Sequence, residues 1–195
     1  VSEPHLRVVP PNGIDLAAAE RAAADLLAAF GLDLADPTLA GTPRRMANGY
    51  AELLTPREFT MTTFPNDEAY DELVVARDVP FVSLCEHHLL PFAGTATVGY
   101  LPGERILGLS KLARVVELFA RRPQVQERMT TQVAAFLDER LHPRGVGVVV
   151  TAEHTCMTLR GVGARGSTTV TSALRGLLRA EPASRAEFLA LAGRR

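Results

Sequence analysis

From Asp15 onward, apolar residues recur at helical spacing. Leu16, Ala19, Ala23, Leu26, Leu27 and Phe30 share one face, and Gly31 stands where a helix would end. A second helix is predicted from Thr42, a good N-cap, with Pro43 in the first helical position, to about Leu54. Residues 55–71 hold two prolines and several polar residues and read as a loop. Short β-rich runs follow at Glu72–Arg77, Val79–Leu84 and Phe92–Leu101, punctuated by Pro91 and Pro102-Gly103. Ser110 then reads as the cap of a helix through Leu112, Val115, Val116 and Phe119. Pro123 opens the longest helix, with an apolar stripe of Val125, Met129, Val133, Phe136, Leu137 and Leu141. Val146–Glu153 and Thr168–Leu174 read as strands and Ser184–Leu191 as a short helix. The order predicts an α+β fold with a mostly antiparallel sheet. Residues 1–14 form a Pro-rich irregular arm, and 15–195 one domain, made of a helical pair (15–54) and a core (72–195).

Composition narrows the class. At 195 residues with 47% hydrophobic and 22% charged, the chain is long enough for a core without disulfides. A formal charge of -1 argues against a nucleic-acid binder relying on a broad basic face. The Ala/Leu-rich stretch from Leu16 to Leu32 is broken by Glu20, Arg21 and Asp25, so no membrane span is expected. The N-terminus has no signal-peptide pattern, and the expectation is a cytoplasmic protein. Of 21 basic residues only Lys111 is a lysine, a hint that a compact ammonium is wanted there.

The chemistry concentrates in two short segments, Cys85-Glu86-His87-His88 and His154-Thr155-Cys156, which hold both cysteines and three of the five histidines. Cys85 and His88 are spaced so that one turn can offer a thiolate and an imidazole to a single ion. His154 and Cys156, two apart at a strand end, are expected to project from one face. Thiolate and imidazole together suit Zn²⁺, and three ligands with an open fourth position mark a catalytic site. A disulfide, buried small hydrophobes, or a closed structural site of two Cys and two His would also use these residues. The surplus imidazoles favour catalysis, because hydrolysis needs an acid or base beside the metal.

The stretches SLCEHHLLPFAG (83–94), GLSKLARVVELFARRPQVQERMTTQ (108–132), HTCMTLRGV (154–162) and GSTTVTSA (166–173) closely resemble GTP cyclohydrolase I, of the tunnelling-fold superfamily. The resemblance implies an antiparallel sheet with helices layered on one face and an N-terminal helical pair. It also implies a homodecamer of two pentamers with active sites at subunit interfaces. The reaction would take GTP and water to 7,8-dihydroneopterin triphosphate and formate, the entry to folate and other pterins. Mapped by motif, Cys85, His88 and Cys156 would hold one Zn²⁺ per subunit, leaving His87 and His154 free. Zinc would activate the water that attacks guanine carbon 8. His154 would supply protons at the purine nitrogens, with His87 assisting and Ser110 acting in later proton transfers.

By the same mapping, Ser110 and Lys111 at a helix N-terminus, with Arg114 and Arg160, would clamp the triphosphate. Glu127 would accept guanine N1–H and the 2-amino group, excluding adenine, with Gln126 contributing through its backbone. Glu86 would act near the site. Thr97 and Ala164 depart from the family's frequent His and Lys, with Arg165 next to the second change. Two other readings are a non-catalytic nucleotide-binding homologue and a different tunnelling-fold enzyme, such as a pterin synthase or a nitrile reductase. The intact five-residue set speaks against the first, and the RPQVQER string against the second.

Overall fold

A computed structural model describes residues 6–8 and 13–193, with side chains from residue 13 onward. In chain order the elements are β1 (Leu6–Val8), α1 (Leu16–Ala29), α2 (Thr42–Leu54), β2 (Phe59–Met61), β3 (Thr63–Pro65), β4 (Val74–Cys85), β5 (Pro91–Leu101) and β6 (Arg105–Leu107). They continue with α3 (Ser110–Ala120), β7 (Pro123–Gln124), α4 (Gln126–Leu141), β8 (Gly145–His154), α5 (Thr155–Thr158), β9 (Thr169–Gly176), α6 (Leu177–Ala180) and α7 (Pro182–Gly193). The main sheet has the order β7-β4-β5-β8-β9, antiparallel except for the short β7–β4 pair.

Helix α1 matches its expected bounds: Asp15 caps it by accepting from Ala18 N at 2.9 Å, and Gly31 leaves it at φ +78°. Other boundaries differ. Gly41, not Thr42, is the N-cap of α2, because the Thr42 hydroxyl is used by Arg45, which reaches back to it at 2.8 Å. Ser110 is the first residue of α3 and makes no capping hydrogen bond. Pro123 does not open α4. Pro123 and Gln124 lie extended beside Leu84 and Cys85, and α4 starts three residues later at Gln126.

The predicted loop at 55–71 contains β2 and β3, which pair with β1 and β6 in two small sheets. Within the predicted irregular arm Leu6–Val8 is therefore a strand; residues 1–5 and 9–12 lie outside the described ones. The two runs at 72–84 form one strand, β4. Asp78 takes φ +52° at a register shift between Ala76 and Val79, which absorbs the break in the pattern.

Helices α3 and α4 cover one face of the sheet. Leu112, Val115, Val116, Met129, Val133, Ala134 and Leu137 pack on Ala96, Val98, Tyr100, Val146, Val148 and Val150, all buried. Strand alternation turns Gly99 and Gly147 to the other face, where α7 seats the fully buried Phe188. A Cβ on Gly147 would stand 2.6 Å from the Phe188 ring. Among the described residues, no helix is long and apolar enough to cross a membrane.

Candidate metal centre

The register of the sheet builds the site. Strand β5 is hydrogen-bonded to β4 on one side and β8 on the other, with Leu84 opposite Pro91 and His154 opposite Phe92. The last residues of β4 and β8 therefore flank the start of β5. After Cys85 the chain turns at once. Cys85 O accepts from His88 N at 3.3 Å and from Leu89 N at 2.7 Å, and Leu89 enters the left-handed region at φ +53°. This turn folds His88 back towards Cys85, with Sγ and Nδ1 3.9 Å apart.

On the other side β8 ends at His154, and Cys156 sits in the single turn of α5, so the two do not project from one strand face as expected. The change of backbone sends them apart. His154 Nε2 meets Gln126 Oε1 at 2.7 Å, while Cys156 Sγ lies 3.9 Å from Cys85 Sγ. Thr155 Oγ1 fastens the turn by donating to Pro91 O at 2.5 Å.

One ligand atom each from Cys85, His88 and Cys156 lie within 4.8 Å of one another. Two sulfurs each about 2.3 Å from a tetrahedral zinc stand roughly 3.8 Å apart, so the donor set and its 3.9 Å sulfur separation fit that ion. The cysteines are free thiols. Burial, and then the Cys85 sulfur, push the Cys156 thiol up, so metal binding must displace a proton from it.

Around the cluster, Arg160 Nη1 stands 3.3 Å from His88 Nε2, and the His87 ring is edge-on to His88 at 6.5 Å. His154 stacks on Phe92 with ring centroids 4.5 Å apart and planes within 6°. Burial lowers the His154 pKa, and the Glu127 charge nearby opposes that shift. Glu127 itself is exposed in the first turn of α4.

Glu86 forms an ion pair with Arg128, which holds its carboxyl below the usual carboxylate range. Arg128 is tied in turn to Gln124 Oε1 at 3.0 Å. Arg128, Gln124 and Phe92 are site-supporting residues that sequence reasoning missed. Arg128 and Gln124 sit in the same RPQVQER string, and membership of that string was the available signal.

Ser110, Lys111 and Arg114 do not join this cluster within one chain. Ser110 and Arg114 border a groove of 630 Å³ with Val79, Pro80 and Glu117, and Arg114 Nη1 is 3.1 Å from Glu117. Val79 stands six residues down β4 from Cys85, about 20 Å away. Within one chain Lys111 and Arg114 lie away from Arg160 for that reason: α3 runs along β4 with its C-terminal end towards the cysteines.

A Cys/His/Cys centre at one end of an antiparallel sheet, with a free imidazole beside it, defines a metal-dependent enzyme of the tunnelling-fold class. The GTP cyclohydrolase I family model matches residues 19–193. A GTP cyclohydrolase 1 of Rhodopirellula baltica is 49% identical over 190 residues, covering 95% of this chain and 82% of that protein. One from Mycobacteroides abscessus is 51% identical over 190 residues, covering 93% and 92%. The chain belongs to the GTP cyclohydrolase I family, and Cys85, His88 and Cys156 are its metal-capable cluster.

Proposed function

We propose that the chain hydrolyses and rearranges GTP to 7,8-dihydroneopterin triphosphate and formate, the first step of folate and pterin biosynthesis. The observation that carries this reading is the convergence of Cys85, His88 and Cys156 within 4.8 Å, beside His154 and Glu127, in a chain matched to the family from residue 19 to 193. Cys85, His88 and Cys156 would hold a zinc ion, which would supply a nucleophilic water at neutral pH.

The remaining work falls to the chain's own side chains. Glu127 accepts guanine N1–H and the 2-amino group, a donor pair adenine lacks. His154 protonates a purine nitrogen so that carbon 8 becomes attackable, and His87 assists proton transfer during ring opening. Arg160 binds triphosphate oxygens. Ser110, Lys111 and Arg114 do the same from a neighbouring copy, and Ser110 takes part in the later proton transfers. Gln126 contributes its backbone to the base.

Two features support a homodecamer of stacked pentamers. Both outer strands of the main sheet, β9 and most of β4, have unpaired edges among the described residues, and joining β9 of one copy to β4 of the next generates a ring. The separation of the Ser110 groove from the metal cluster is bridged by that arrangement. A reducing cytoplasm suits a site built on two free thiols.

The test is direct. Zinc-replete protein is incubated with GTP, formate is quantified, and the second product is followed by absorbance and mass. Equimolar formate and dihydroneopterin triphosphate are expected. No formate from zinc-loaded, assembled protein would overturn the reading.

A further inference from the structure

Gln126 is 1% exposed, and its side-chain amide lies among partners whose donor and acceptor roles fix which end faces which. Its Nε2 lies 3.1 Å from Val150 O, 3.0 Å from Thr169 O and 3.1 Å from Thr171 Oγ1. Two of these are carbonyl oxygens, which only accept, so the amide nitrogen must face them. Turning the amide over would set its oxygen against both carbonyls.

The hydroxyls agree. Thr130 Oγ1 donates to Gln126 O at 2.8 Å, so in the 2.7 Å contact between Thr130 and Thr171 the donor is Thr171. Thr171 Oγ1 then turns a lone pair towards the amide, and the two Nε2 hydrogens are shared among it and the two carbonyls. With the amide orientation fixed by this network, Gln126 Oε1 can only accept, and the His154 nitrogen 2.7 Å away must donate.

We infer that Gln126 is a positioning residue for His154: its amide oxygen keeps ring nitrogen Nε2 protonated and leaves Nδ1 as the ring atom that exchanges a proton in the reaction. The catalytic half of this statement rests on the acid–base reading of His154 given above. The geometric half does not. Phe92, stacked within 6°, sets the plane of the ring, and Gln126 sets its rotation in that plane and its tautomer. The anchor is the β8–β9 pair, so one buried amide couples the sheet to the reacting imidazole. This is a side-chain role, distinct from a backbone contact to the base.

The experiment uses full-length, zinc-loaded protein labelled with ¹⁵N-histidine. Magic-angle-spinning NMR reads which His154 nitrogen carries hydrogen, the signals being assigned by their loss in His154→Gln. Wild type is expected to show Nε2–H alone in neutral His154. Gln126→Leu is expected to give a mixture of tautomers and a kcat about 100-fold lower, with KM for GTP and zinc content near wild type.

Gln126→Glu separates positioning from support of the sheet. Its carboxylate still accepts from Nε2–H but faces the Val150 and Thr169 carbonyls unfavourably. It is expected to keep the Nε2–H tautomer and more of kcat than Gln126→Leu, although its sheet anchor is weaker. A wild-type His154 protonated at Nδ1 alone, or a tautomer unchanged in Gln126→Leu, would overturn the inference. The spectrum needs no turnover, so failure of the GTP reaction would defeat the functional reading while the tautomer result still decides this one.

Discussion

Phe188 fixes the last helix to the sheet through a contact made possible by two absent side chains. Its ring is fully buried against Gly99 and Gly147. A phenylalanine of this kind removes about 200 Å² from water, worth at most about 5 kcal/mol at ~25 cal/mol per Å². Phe→Ala in a packed core costs about 3–5 kcal/mol. With a urea m-value of about 2 kcal/mol per molar, Phe188→Ala should lower the unfolding midpoint by about 2 M. The converse change, Gly147→Ala, puts a Cβ within 2.6–2.7 Å of three ring atoms and should cost about 1–3 kcal/mol by overpacking. In the Phe188→Ala background that clash is gone, so the double variant should be less damaged than the sum by at least ~1 kcal/mol. The assay is a double-mutant cycle by urea denaturation at one fixed protomer concentration. Zinc content of the folded variants should not change, because Gly147 is seven residues, about 23 Å, along β8 from His154. Additivity within about 0.5 kcal/mol would refute the proposed contact.

Cys156→Ser should lose both zinc, measured by atomic absorption, and formate release, whereas His154→Ala should keep zinc and lose ring opening. Mixing Lys111→Ala with Cys156→Ser subunits at equal ratio and letting them reassemble should restore about a quarter of the activity if each site draws α3 and the metal from different copies. No recovery in verified mixed oligomers would place both halves in one chain. Burial raises the Glu117 carboxyl, but its hydrogen bonds to Arg57 and Arg114 and the charges of Arg57 and Arg121 outweigh that and hold it below its ordinary 4.5. A depressed carboxyl stabilises above the unfolded value and ceases to do so as pH falls through the folded one. The stability lost in Glu117→Gln should thus be full near neutrality and shrink below about 4.5 in pH-dependent urea melts.

Periodicity made the long elements legible. The stripe of α4 and the alternation of β5 and β8 are products of one buried face each, and such faces write themselves into sequence. The misplaced boundaries share a different cause. Thr42, Ser110 and Pro123 carry residue types that favour helix starts, yet each is put to another use: Thr42 accepts from Arg45, Ser110 follows an already helical Leu109, and Pro123 lies along the edge of β4. β2, β3 and β6 are three residues each, too short for a pattern. The ligands Cys85, His88 and Cys156 were visible as rare residue types in tight spacing. Gln126 was visible only as part of a motif, because its side chain acts through a register between β8 and β9 that no local window contains.

Cys85 and Cys156 are 71 residues apart, and only the pairing of β4 and β8 to the two sides of β5 brings their sulfurs together. During synthesis the Cys85–His88 turn emerges long before β8, offering an ion two donors but not three. The complete ligand set exists only once the non-local strand pairing, the slow part of forming such a sheet, is finished. Zinc bound by all three residues would therefore favour the finished strand pairing over states in which β8 is not yet docked. The expected consequence is a longer-lived native chain, with a chelator acting mainly by hastening unfolding.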